Sequence, residues 1–209
     1  MERFRTFDFR KHMPSVTFTL LAVALIAGAG AITVYLGLYN IAADAPHNRL
    51  TYSVIETFRE KSIAARSGSI AVPADLAAPA RIASGAGLYT EMCSGCHLAP
   101  GMEKTEMSQG LYPQAPVLFK GSERSAAEQF WIIKHGIKMT AMPAWGKTHD
   151  DRLIWDMVAF VRKLPGLSPA QYQAITQNSP MDHDAMMKGM TEAEGASQKP
   201  SGAGEHAGH

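Results

Sequence analysis

Hydrophobic and polar positions are distributed unevenly along this chain. Residues 15–39 (SVTFTLLAVALIAGAGAITVYLGLY) carry no charge over 25 residues, more than the ~20 a helix needs to cross a hydrocarbon core. A polar stretch broken by Pro46 follows, and then residues 51–66 (TYSVIETFREKSIAAR) take up a helical rhythm. Tyr52, Ile55 and Phe58 recur three apart, while Glu56, Arg59, Glu60 and Lys61 lie mostly elsewhere. That apolar face is too narrow to fold alone. The membrane surface, the downstream domain and a partner subunit are all open to it. Ser67-Gly68 ends the helix, and residues 69–80, with two prolines, read as a linker.

Further helical patterns cover residues 81–92, 125–135 and 150–164, the last stopped by Pro165-Gly166. Between them the chain is rich in turn residues, among them Pro100, Pro113, Pro116 and Pro143. No alternating strand pattern occurs, so the expected fold is mainly α. From Met181 onward the apolar periodicity is lost, and the small, polar end (EGASQKPSGAGEHAGH) cannot bury enough surface to order itself. The pattern divides the chain into an N-terminus (1–14), a transmembrane anchor (15–39), a juxtamembrane helix and linker (40–75), a compact domain (76–167) and a flexible tail (168–209).

Charge adds a direction. Arg3, Arg5, Arg10 and Lys11 precede the apolar run against Glu2 and Asp8, and Asp44 follows it. By the positive-inside rule the N-terminus is cytoplasmic and the remainder lies outside. A cleaved signal peptide is the rival, with Ala42-Ala43 as a small-residue site, but its apolar region runs only about 7–15 residues. Either reading exports the domain. A net charge of +1 lacks the basic excess that nucleic-acid binding calls for.

The only two cysteines stand in Glu91-Met92-Cys93-Ser94-Gly95-Cys96-His97. A disulfide there would close a very small loop and constrain little. Zinc needs four ligands, and at most three are present locally. A thioredoxin-like dithiol expects a preceding strand, whereas a helical pattern precedes this one. Covalent haem uses all three residues: two thiols add to the vinyl groups and the adjacent imidazole reaches the iron. That chemistry belongs on the outer side of the membrane, where the charge asymmetry puts the domain. About 90 residues with few long helices also make a thin core, which one large buried cofactor would complete.

A sixth iron ligand remains to be found among Met102, Met107, His135, Met139, Met142, His149 and Met157. Met157 has Ile154 and Phe160 at helical spacing, a core pattern. Met102 and Met107 are too near His97 in sequence to cross easily to the other haem face. The segment 138–145 (KMTAMPAW) offers Met139 and Met142, with Pro143 stiffening the chain beside the latter.

From about residue 76 to 167 the chain resembles the class I c-type cytochromes, especially single-haem, membrane-anchored bacterial ones. The attachment motif is followed some 45 residues on by Met142-Pro143-Ala144-Trp145, and Gly85, Tyr89 and Cys93 fall at the family's first-helix spacing. The resemblance implies one haem c on Cys93 and Cys96, with His97 and Met142 on the iron. It further implies that the Pro116 carbonyl orients His97, that Trp145 lies near a haem propionate, and that Phe160 meets Gly85 and Tyr89 where the first and last helices cross. The expected function is electron transfer, with no catalysis by the chain alone. Expected partners are a quinol-oxidising complex, a periplasmic dehydrogenase or a terminal oxidase.

Two features lie beside this reading. No acidic residue occurs from Gln129 to His149, where Lys134, Lys138 and Lys147 could steer an acidic partner. In the tail, Met181, His183, Met186, Met187, Met190, His206 and His209 group soft ligands that suit copper. A copper-handling protein, and a haem enzyme or gas sensor with a labile sixth ligand, are therefore the alternatives.

Overall fold

A computed structural model describes residues 14–179, in two compact units that meet between Ala45 and Pro46. The tail methionines and histidines, and the charges ahead of the apolar run, lie outside the described residues.

The first unit holds one helix, α1 (Val16–Tyr35), capped by the Ser15 hydroxyl, which accepts from the Phe18 N–H. Thr19 and Thr33 turn their hydroxyls back onto the Ser15 and Ala29 carbonyls at 3.3 and 2.9 Å. None of its residues is buried. Twenty residues at 1.5 Å rise make about 30 Å, and the mean hydropathy reaches 2.1. By length and composition the helix can cross a membrane.

The second unit is helical throughout its described residues, without a strand. Its long helices are α2 (Arg49–Ser67), α3 (Pro79–Met92), α6 (Ala126–His135) and α7 (Asp151–Lys163), with the one-turn helices α4 (Ser94–His97) and α5 (Glu106–Gly110) between α3 and α6. Each start is chemically marked: Asn48 caps α2, Pro79 occupies the first turn of α3, Ser125 and Glu128 form a capping box on α6, and Asp150 caps α7.

The core is the crossing of α3 and α7. Tyr89, Leu88, Ile154, Met157, Val158 and Phe160 are fully buried there, which places Met157 in the core as its periodicity predicts. At Gly85 the helices approach so closely that a Cβ would stand 1.9 Å from the Asp156 carbonyl oxygen and 2.9 Å from the Phe160 Cβ. The Tyr89 and Phe160 rings pack at 5.4 Å beside it. The expected meeting of Gly85, Tyr89 and Phe160 is thus observed. On the other flank Phe130 of α6 stacks on Trp155 of α7 at 4.2 Å.

One boundary needs correction. The compact region does not stop at Leu167: α8 (Pro169–Gln177) follows, closed by a Ser168–Gln171 capping box. Tyr172 is buried against the Phe160 cluster, and its hydroxyl shares a 2.9 Å hydrogen bond with Thr90. Ser179 donates to the Ala83 carbonyl at 2.8 Å. Only Tyr172 and Ile175 turn inward, too few to announce a helical face in sequence.

Candidate haem-binding site

The Cys-x-x-Cys-His stretch is one helical turn fused to the end of α3. The Cys93 N–H donates to Tyr89 O, and the Cys96 and His97 N–H groups both donate to Cys93 O. Helical spacing therefore turns both thiols to one side, with His97 one step beyond. The turn ends at Leu98, held at φ +60, a conformation unfavourable for a side chain of its size. Its carbonyl accepts the buried Tyr89 hydroxyl at 2.6 Å, so the crossing that buries Tyr89 also sets the exit of the motif.

His97 Nδ1 lies 2.8 Å from the Pro116 carbonyl oxygen. A carbonyl only accepts, so Nδ1 carries the proton and Nε2 keeps its lone pair. Burial holds the imidazole below its ordinary pKa, opposed in part by the Pro116 bond, and the ring is neutral near pH 7. Cys93 and Cys96 are free thiols. Burial pushes the Cys93 thiol up to about 12, with Cys96 adding to the rise. A reactive dithiol needs the opposite shift. Zinc fares no better: among the described residues no group of three or more His, Cys, Asp or Glu is placed to hold a metal. Cys96 Sγ donates instead to Met107 Sδ at 3.1 Å, which occupies Met107 on the same side as the motif.

The loop after α6 carries the other candidates. Gly136 sits at φ +65, where a Cβ would come within 2.7 Å of the Met142 carbonyl oxygen and the Pro143 carbonyl carbon. The Ile137 N–H donates to the Met142 carbonyl at 3.2 Å, and the Met142 N–H donates to the Thr140 hydroxyl at 3.1 Å. Met142 and Trp145 are half-buried against the cluster that contains Leu88, Ile154 and Trp155, and Trp145 meets His149 edge-on at 5.7 Å. Met139 is 80% exposed. The structure thus brings His97 to Pro116 by a hydrogen bond and Met142 to Trp145 by shared packing. Cys93 packs on the separate Tyr89–Phe160 cluster.

Three contacts escaped the sequence reading. Asp156, 3% exposed, receives Arg81 at 2.7 Å and Arg152 at 3.4 Å; the clue was a carboxylate between buried Trp155 and Met157. The His47 N–H donates to the Tyr112 hydroxyl at 2.9 Å, tying the segment before α2 to the loop that leads into Pro116. Lys134 is paired with Asp151 at 2.6 Å, whereas Lys138 and Lys147 have no salt bridge among the described residues.

Two free thiols one turn apart, an imidazole with a free Nε2 and a half-buried thioether fit haem c, and the helices that present them define the class: a class I c-type cytochrome domain. Residues 80–161 match the family described as cytochrome C oxidase, cbb3-type, subunit III. No curated protein and no solved structure is matched. A domain of this class carries covalently bound haem c and transfers electrons.

Proposed function

We propose that the chain is a membrane-tethered cytochrome that relays electrons in a periplasmic respiratory chain through one haem c. Bound haem supplies a one-electron cycle between Fe(III) and Fe(II); the protein attaches it, orients its ligands and limits water. Cys93 and Cys96 are the thioether anchors and His97 the proximal ligand, kept in a single tautomer by the Pro116 carbonyl. Met142 is the distal ligand and Trp145 a neighbour of a propionate. The burial pattern favours Met142 among the methionines, since Met139 and Met107 face solvent and Met157 is sealed in the core.

The apolar α1 serves as a single-pass anchor, and the basic residues before it favour a cytoplasmic N-terminus with the haem domain in the periplasm. The matched family is named for a subunit of a terminal oxidase, which supports a membrane oxidase as redox partner. A quinol-oxidising complex or a periplasmic dehydrogenase would fill the other side of the relay.

The observation that carries this reading is the Nδ1–H bond from His97 to Pro116, which leaves a neutral metal-binding nitrogen on the turn that holds two free thiols. The test is spectroscopic. Ferric full-length protein should show the long-wavelength absorption of methionine–iron ligation. Met142→Ala should abolish it and let the ferrous form bind carbon monoxide, whereas Met139→Ala should change neither. The reverse pattern would move the ligand to Met139.

A further inference from the structure

Helix α2 has two faces, and the domain uses only one. On the inner face Ile63 and Ser67 are buried, and Glu60 receives Arg124 at 2.6 Å beside α6. On the opposite face Leu50, Val54 and Phe58 recur every four residues and are 76%, 59% and 78% exposed. Side chains four apart lie nearly above one another on a helix, so the three form one continuous apolar stripe. Sequence left the partner of this helix open among three choices, and the structure assigns the domain to the inner face only.

We propose that the Leu50–Val54–Phe58 stripe lies in the headgroup–acyl boundary of the membrane that α1 crosses, and so holds the haem domain at the lipid surface. The inference rests on the tether reading above. Three observations favour lipid. The 13 residues from 36 to 48 can reach at most roughly 47 Å when fully extended, which sets the greatest distance between the stripe and the end of α1.

Charge points the same way. Glu56 is paired with Arg59, and Glu60 with Arg59 and Arg124, so the acidic groups of α2 are neutralised within the domain. Arg49 and Lys61 are exposed, and among the described residues no salt bridge engages them. Cations beside an apolar stripe match an anionic lipid surface. The stripe is also one side chain wide. A stable protein interface commits about 800 Å² from each partner, whereas an interfacial helix needs only such a stripe set about 5–10 Å into the boundary. Because α2 is part of the domain, lipid contact there fixes the haem domain instead of letting it swing on residues 36–48.

Nitroxide accessibility tests this on haem-loaded full-length protein in nanodiscs of phosphatidylethanolamine and phosphatidylglycerol. Cys93 and Cys96 are engaged by haem, so labels go on Val54→Cys, Phe58→Cys, Ala27→Cys in α1 and Gln173→Cys as an exposed reference. Labels at Val54, Phe58 and Ala27 should lose relaxation by a water-soluble nickel chelate relative to Gln173, while remaining open to oxygen. Nickel access at Val54 and Phe58 equal to that at Gln173, with Ala27 still shielded, overturns lipid docking and leaves the tether intact. Nickel access at Ala27 overturns both. Labels at Val54 and Phe58 open in these nanodiscs but shielded in native membranes would assign the stripe to a protein partner and overturn the lipid proposal.

Discussion

Helix α3 is joined to α7, and helix α2 to α6, by opposite means. At the α3–α7 crossing a missing Cβ lets backbone meet side chain directly, Tyr89 packs on Phe160, and the one ion pair reaches a carboxylate that is almost fully buried. At the α2–α6 seam the apolar contribution is small, with Ile63 as its only buried hydrophobic on α2, and the Glu60–Arg124 pair is half-exposed. Close packing excludes salt and protons; a surface ion pair is screened by one and neutralised by the other. The crossing sets the Cys-x-x-Cys-His turn through Tyr89 and Leu98, so the chemistry stands on the insensitive joint. The domain's hold on α2 stands on the sensitive one.

Gly85→Val gives the largest effect expected. Its Cβ would overlap the Asp156 carbonyl, which neither helix can vacate, at a cost of about 3 kcal/mol or more. In a small domain this is a large part of the total stability. Helical circular dichroism and covalent haem content should fall together; full haem loading with native helicity would show that the crossing is not the joint that matters. Arg81→Met is the next largest. It leaves Asp156 buried with only the long 3.4 Å contact from Arg152, and should cost about 2 kcal/mol, below the usual range for a broken buried pair because Arg152 remains. Urea unfolding of the haem-loaded protein should show the loss, and it should persist in molar salt.

Legibility followed the distance over which a contact acts. Cys93, Cys96 and His97 are neighbours whose chemistry depends on residue type and spacing, and the class they announced is the class of the domain. Gly85, Tyr89 and Phe160 were legible as a crossing only through the resemblance to class I c-type cytochromes, which supplied the pairing of a glycine with aromatics on the first and last helices. Arg81 and Asp156 are 75 residues apart, and His47 and Tyr112 are 65 apart; no local pattern reports such pairs. Helix α8 was missed for a different reason. Its attachment rests on one buried tyrosine and a hydroxyl pair, which produce no periodicity. For α2 the sequence showed an apolar face at three-residue spacing (Tyr52, Ile55, Phe58), whereas the structure turns Phe58 outward with Leu50 and Val54 and uses Ile63 inside.

The smallest effect is the most diagnostic of the difference between the two joints. The hydrogen bond from Arg124 holds the Glu60 carboxyl below its ordinary value; burial opposes this, and the Arg124 charge and Arg59 add to the lowering. A carboxylate with a depressed folded pKa favours the folded state wherever the unfolded chain would also be ionised, that is above its ordinary value of 4.5. The contribution disappears as pH falls through the lower folded value. Because the pair is half-exposed, solvent screening limits it to about 0.5 kcal/mol. Glu60→Gln should therefore lower the urea midpoint slightly and evenly between pH 7 and pH 5. The gap to wild type should close below the ordinary carboxylate value, and also in molar salt. Hydrogen exchange at neutral pH should locate the loss in α2 and spare α3 and α7. A gap that survived acid and salt would mean that α2 is held by packing after all, and that the two joints do not differ in kind.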